Sequence, residues 1–135
     1  LMDSETKIIL SSLEYLSNVE FVGYLNRKEL FTFLSGAFAL LNTSHHEGFS
    51  NTFLEAFATG TPVIAPENVD PNNIIEKYGL GFSIKESAEF SSAIRHIIEN
   101  QNAFDEISRR CIRYVDENHN PRILARRLVE ILSQL

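Results

Sequence analysis

The chain has 135 residues, of which 44% are apolar and 22% are charged, a composition that is ordinary for one folded domain and that excludes disordered, collagen-like and coiled-coil chains. A net charge of −6 does not indicate a nucleic-acid-binding face. The single cysteine, Cys111, excludes an internal disulfide framework and a multi-cysteine metal site. No apolar run reaches the length of a membrane span, and no signal peptide opens the chain. These features together predict a soluble, intracellular domain.

Apolar runs of strand length alternate with helical patterns from residue 4 to residue 84. Helices are predicted over residues 4–17, 27–35, 51–59 and 72–78, and strands over residues 19–22, 37–41, 62–65 and 81–84. Residues 37–41 are apolar at every position, which is typical of a strand that is buried on both faces. The alternation predicts an α/β domain with a parallel sheet of about four strands flanked by helices.

The pattern after residue 84 is entirely helical, with helices predicted over residues 87–100, 103–118 and 121–134. Pro121 suits the first turn of the last helix, and Gly60 suits the left-handed position after the third. The last two helices carry a cluster of arginines, which are Arg109, Arg110, Arg113, Arg122, Arg126 and Arg127. We interpret this cluster as a solvated face opposite an apolar one, with a membrane-surface or phosphate-binding role as the alternative.

Residues 42–60 form the candidate ligand-binding segment of the chain. They follow the most apolar strand, and ligands of open parallel sheets bind at the carboxyl ends of the strands. Gly48 allows the backbone to approach a ligand, and Ser50 is a candidate N-cap for the helix that follows. The amides from Phe49 to Thr52 would then face an anion such as a phosphate. Of the two histidines beside that anion, His45 and His46, at most one is expected to face it and donate to it.

Two acidic residues stand out in this segment. Glu47 lies in the loop, whereas Glu55 lies in a helix that is apolar on nearly every side, where a carboxylate needs a hydrogen-bonding partner. A structural ion pair with a Lys or Arg is one explanation for Glu55. Acceptance of two hydroxyls of a ligand, as from a ribose, is the other, and the residues alone leave both open.

The sequence HEGFS at residues 46–50, followed by LEAFATGTPVIA at residues 54–65, strongly resembles the group 1 glycosyltransferases. Residues 18–24 and 37–44 are similar to the strands and turns that precede this motif in the family, so the resemblance covers nearly the whole chain. It implies the carboxyl-terminal, sugar-nucleotide-binding domain of a retaining enzyme with the GT-B fold, which is built from two Rossmann-like domains.

The resemblance also implies roles for individual residues. Glu47 matches the catalytic-site glutamate that holds hydroxyls of the donor sugar, and Glu55 matches the one that holds the ribose. Gly23 and Tyr24 match a turn near the base. The full set of donor-binding residues predicted from the resemblance and the loop is Gly23, Tyr24, Ser44, His46, Gly48, Phe49, Ser50, Asn51 and Glu55.

The family needs no metal, because helix amides and basic side chains neutralise the diphosphate, so neither a metal nor another cofactor is expected. The implied partners are a nucleoside-diphosphate sugar and an amino-terminal acceptor-binding domain. A cytoplasmic location follows from where sugar nucleotides are made, with peripheral membrane association of the parent protein and polysaccharide or lipid-linked glycan assembly as family-level expectations.

Several family features are absent from the sequence. Two strands, a helix and the Arg and Lys pair that grips the diphosphate would precede residue 1, so we expect the strand over residues 19–22 to pair directly with that over residues 37–41, with homodimerisation as the alternative. Residues 67–73 lack the family's glycines, and Asp70, Pro71 and Asn72 are predicted to form a turn and an N-cap.

Two other functions stay open beside a transferase domain that is incomplete when isolated. One is a nucleotide-sugar-binding module that is inactive alone, which the missing acceptor domain and basic pair favour. The other is a related GT-B enzyme such as a sugar-nucleotide epimerase, which the HEGFS motif fits less well.

Overall fold

A parallel sheet of three strands, in the order β1-β2-β3, organises the chain. The computed structural model describes residues 4–46 and 50–134. The strands are β1 (Leu40–Leu41), β2 (Val63–Pro66) and β3 (Gly81–Ile84). The helices are α1 (Ser4–Leu13), α2 (Arg27–Ser35), α3 (Asn51–Ala58), α4 (Ile74–Tyr78), α5 (Glu89–Glu99), α6 (Gln101–Asn118) and α7 (Pro121–Leu132), with short 3-10 helices at Glu67–Val69 and Pro71–Asn73.

The central strand β2 is buried on both faces, as its position in a parallel sheet requires. Val63 and Ala65 belong to an apolar cluster with α3, α4 and α6, whereas Ile64, between them, belongs to a second cluster with α5. This alternation follows from the two-residue period of a strand. Helices therefore cover both faces of the sheet, and the predicted α/β class with a Rossmann-like parallel sheet is confirmed.

The predicted number of strands is wrong by one. Residues 19–22 form no strand, and Val19, Phe21 and Val22 are 37% to 49% exposed. The expected pairing of these residues with residues 37–41 is therefore wrong as well. A parallel strand exists only where a neighbouring strand exchanges hydrogen bonds with it. The second predicted strand shortens to Leu40–Leu41, since the Ala37 amide instead bonds to the Leu34 carbonyl (2.9 Å) in the turn that ends α2.

The signals at the helix ends are largely confirmed. Gly60 adopts φ +77° after α3, and Pro121 occupies the first turn of α7, where the Asn120 side chain accepts from the Arg122 amide. The first predicted helix ends at Leu13, four residues early. Asp70 lies in the predicted turn, and its carboxylate accepts from the Ile75 amide at 3.0 Å. The predicted N-cap is wrong in position, because the residue before α4 is Asn73, and its side chain makes no capping hydrogen bond.

The arginine cluster is solvated except for Arg110, which is a correction. Arg110 donates from Nε to the Gly79 carbonyl (3.0 Å) just after α4, where the free carbonyls of a helix end need donors. It also donates from Nη1 to the Glu106 carboxylate (2.9 Å). The apolar face of α7 is exposed as well, with Leu128 57% and Ile131 60% accessible. No helix in the described ranges is both long and apolar enough to cross a membrane.

Candidate functional site

The loops that follow β1 and β2 meet at the carboxyl edge of the sheet. The Asn42 amide continues the pairing of the two strands by donating to the Ile64 carbonyl (2.9 Å). Beyond it, the Asn68 side-chain amide, in the 3-10 helix after β2, donates to the His45 carbonyl. Parallel strands place their carboxyl ends side by side, and this contact joins the chain segments that leave them.

The loop after β1 is also ordered by its own first residue. The side-chain oxygen of Asn42 accepts from the Ser44 amide at 2.7 Å, which closes a local turn of the kind that asparagine favours. Ser44 is half-buried in this turn, whereas His46 is exposed. Both predicted donor-binding residues therefore lie at the carboxyl edge of the sheet.

Glu47, Gly48 and Phe49 lie outside the residues that the structure describes. The catalytic role of Glu47 and the ligand contacts of Gly48 and Phe49 therefore stay predictions. The chain before them is described as far as His46, and the chain after them resumes at Ser50.

Helix α3 begins where the motif predicts it, with Ser50 as the residue before its first turn. Ser50 has the extended backbone of an N-cap (φ −74°, ψ 115°), and its carbonyl accepts from the Phe53 amide at 3.1 Å. Its side chain makes no capping hydrogen bond, so the predicted position is confirmed and the predicted side-chain cap is not formed. The following residue, Asn51, is exposed. A helix start without a side-chain cap still offers amides to an anion.

Glu55 lies half-buried in α3, between the fully buried Phe53 and Ala56. Within the described ranges the ion pairs are Arg95–Glu99 and Arg110–Glu106, and neither involves Glu55. The structural ion pair considered for this carboxylate is therefore not formed by any cation that the structure describes. Half-burial without a cation leaves an acceptor that suits hydroxyl donors.

The turn predicted to bind the base, at Gly23 and Tyr24, precedes β1 in the sequence and is open to solvent. Gly23 adopts φ +65°, which the left-handed turn requires, and Tyr24 is 94% exposed. A surface cavity of about 450 Å³ begins directly after the turn, lined by Leu25, Asn26, Lys28, Glu29, Thr32 and Phe33. A role of the Tyr24 ring in holding a base stays a prediction.

Two side chains that sequence reasoning missed, Asn42 and Asn68, order the site. Asn42 carried a readable signal, since an asparagine directly after a strand commonly accepts from the backbone amide two residues further on. Asn68 carried none, because its partner is 23 residues away.

Two further titratable groups, Cys111 and His119, are structural. Cys111 is fully buried and burial raises the pKa of its thiol to about 12, so it is not an activated nucleophile. His119 packs on Tyr114, and burial lowers its pKa below the ordinary value of 6.5. In residues 4–46 and 50–134, no three His, Cys, Asp or Glu side chains are grouped so that they could hold a metal ion.

Comparison with known proteins agrees with the motif. The family model described as "Glycosyl transferases group 1" matches residues 3–118. The chain is 27% identical over 115 residues to "Glycosyltransferase 1 domain-containing protein 1" of Xenopus tropicalis, a match that covers 85% of this chain and 33% of that relative. The chain thus spans about a third of the length of this relative. No solved structure matches the chain.

Proposed function

The chain belongs to the group 1 glycosyltransferases, and on this premise we propose that it binds the nucleoside-diphosphate sugar donor of a transfer that retains the configuration of the sugar. The donor site in this proposal is the carboxyl edge of the sheet, where the loop after β1 and the start of α3 come together. The GT-B architecture, with an acceptor-binding domain on a separate part of the polypeptide, belongs to the same proposal. The length of the relative, of which this chain spans a third, supports a larger parent protein.

The single observation that carries the proposal is the state of Glu55. Its carboxylate is half-buried and forms no ion pair with any described cation, and it occupies the position of the motif glutamate that holds a ribose in the family. A carboxylate with free lone pairs accepts two hydroxyl hydrogen bonds, which the vicinal hydroxyls of a ribose supply. An ion pair in its place would have left little capacity for a ligand.

The start of α3 suits the diphosphate of the donor. Ser50 and Asn51 form the start of α3, which follows the loop after β1, and the positive end of the helix dipole would stabilise an anion there. Ser44 and His46, at the end of the preceding loop, would contribute hydrogen bonds. This arrangement supports neutralisation of the diphosphate without a metal ion.

Glu47 would act beside the reacting carbon by holding hydroxyls of the donor sugar and stabilising positive charge as the bond to the diphosphate breaks. The acceptor hydroxyl forms the new bond to the anomeric carbon on the face that the diphosphate leaves. Its proton passes to a departing phosphate oxygen, so charge and atoms balance without an additional base. A cytoplasmic location, in solution or at the cytoplasmic face of a membrane, fits the supply of sugar nucleotides.

A nucleotide titration tests donor binding. Ligand-observed NMR of the chain with UDP, GDP and ADP, each with and without an attached sugar, should show binding of one base. Glu55→Ala should weaken that binding by at least about tenfold, since it removes two hydrogen bonds to a charged acceptor. Glu117→Ala, an exposed glutamate of α6, is the matched control and should leave the affinity unchanged.

Unchanged affinity in Glu55→Ala would contradict the assignment of the ribose site. A chain that binds none of the nucleotides would contradict donor binding by these 135 residues alone. In the complete polypeptide, Glu47→Ala should lower kcat, whereas Glu55→Ala should mainly raise KM for the donor. Wild-type kinetics in both variants would show that the site is assigned to the wrong residues.

A further inference from the structure

The backbone at Asn68 is flanked by packed structure on both sides. It follows β2, whose last residue is Pro66, and the next two residues, Val69 and Asp70, are 2% and 5% exposed. Both oxygens of the Asp70 carboxylate accept from the Ile75 amide, at 3.0 and 3.2 Å, which fixes the start of α4 to this turn. Asn68 itself is exposed, so a solvent-facing side chain projects from a main chain whose neighbouring residues are packed and hydrogen-bonded.

The side chain of Asn68 connects this packed turn to the loop after β1. Its amide donates to the carbonyl of His45, a long-range hydrogen bond, whereas the bond from the Ser44 amide to Asn42 is local. The bonded carbonyl lies two residues before Glu47 and directly before His46. Ordering this loop before the ligand arrives removes part of the entropy that binding would otherwise lose.

We propose that Asn68 is a positioning residue of the donor site, which anchors the loop carrying Ser44 and His46 to the rigid end of β2. This inference rests on the proposed function, because the loop has a task only if it binds the donor. The role requires a side-chain donor, since the acceptor is a backbone carbonyl. Because Asn68 is exposed and outside the apolar clusters, its loss should change the loop far more than the stability of the fold.

The test compares Asn68→Ala, which removes the donor, with Asn68→Asp, which places a carboxylate against the His45 carbonyl. Asn102→Ala, an exposed asparagine in the first turn of α6, is the matched control. We expect the affinity for the nucleotide bound by the unmodified chain to fall by about threefold to tenfold in Asn68→Ala and further in Asn68→Asp. Asn102→Ala should bind as the unmodified chain does.

Two further readouts separate positioning from general destabilisation. The midpoint of thermal unfolding should stay within about 2 °C of that of the unmodified chain in all three variants. Backbone ¹⁵N relaxation without ligand should show increased motion at residues 43–46 in the two Asn68 variants and none at Val63 or Ile64 of β2.

Wild-type nucleotide affinity in both Asn68 variants overturns the positioning role and leaves the proposed function standing. A fall in affinity that is matched by a fall in the unfolding midpoint also overturns it, because the residue would then be structural. An unmodified chain that binds no nucleotide overturns donor binding by this chain, and the positioning role with it.

Discussion

Asp70 shows how one buried side chain connects two elements at a cost in electrostatic free energy. Burial disfavours its charged form and raises its pKa above the ordinary value of 3.8, although amide hydrogen bonds, including that of Ile75, act in the opposite direction. The nearby Glu76 adds to the increase. The carboxylate therefore supplies an acceptor that α4 needs, while its charge opposes folding.

This balance predicts a specific pH dependence. A raised pKa means that the folded protein binds the Asp70 proton more tightly than the unfolded chain, so stability falls as the pH rises through the range just above 3.8. The variant Asp70→Asn keeps a side-chain acceptor and does not titrate. The free energy of unfolding of the wild type relative to Asp70→Asn should therefore decrease between about pH 3 and about pH 6 in urea titrations.

Asp70→Ala provides the comparison, because it leaves the Ile75 amide without its side-chain acceptor and should cost about 1–3 kcal/mol. A wild-type advantage over Asp70→Asn that grows with pH would show that amide hydrogen bonds, and not burial, dominate at this carboxylate.

At the scale of elements, the contact between β2 and β3 depends on one glycine. Gly81 pairs with Val63 in the sheet and adopts φ +151°, and a Cβ atom at this position would overlap the Val63 carbonyl oxygen. The overlap is far inside van der Waals contact, so a side chain forces the two strands apart. The glycine was readable from the sequence as a turn into the strand, but its contact with β2 was not.

Gly81→Ala should therefore lower the free energy of unfolding by at least about 2 kcal/mol, measured by urea denaturation. The control is Gly36→Ala at the end of α2, where φ is −96° and the nearest atom to the added Cβ is a carbonyl oxygen at 3.7 Å. The control should stay within about 1 kcal/mol of the wild type. A loss in Gly81→Ala as small as that expected for the control would show that the two strands accommodate a Cβ atom at this position.

At the scale of the whole molecule, apolar surface is exposed well beyond the sheet. Ile8 of α1 is 72% exposed, Tyr15 90%, Phe33 of α2 55%, and Val129 of α7 65%. Single exposed apolar residues are ordinary, but apolar surface spread over three helices favours association with other protein surfaces.

We expect the 135-residue chain to self-associate, and light scattering should show a mass above that of one chain that rises with concentration. Leu128→Glu places a charge on the apolar face of α7 and should lower that mass. Gln134→Glu adds the same charge just beyond the helix and serves as the control. A strict monomer at all concentrations would contradict this expectation, and with it the homodimerisation that the sequence left as an alternative.

Much of the fold follows from local sequence. Five predicted features lie within a residue of their observed positions, namely the strands β2 and β3 and the starts of α2, α3 and α7. The signals for them, such as β-branched runs, Gly60, Asn120 and Pro121, act on the backbone directly beside them. Residues 19–22 have the same apolar character as a strand but do not form one. Strand formation needs a paired neighbour, and no local pattern supplies it.

The α/β class, the helical carboxyl end and the family can all be predicted without a structure, because composition, periodicity and the motif over residues 46–65 are properties of the chain alone. Three features emerge only from the folded chain: the order and number of strands, the absence of an ion pair at Glu55 among the described residues, and the contact of Asn68 with the His45 carbonyl. Each of these depends on groups that are distant in sequence, and folding alone determines whether such groups meet.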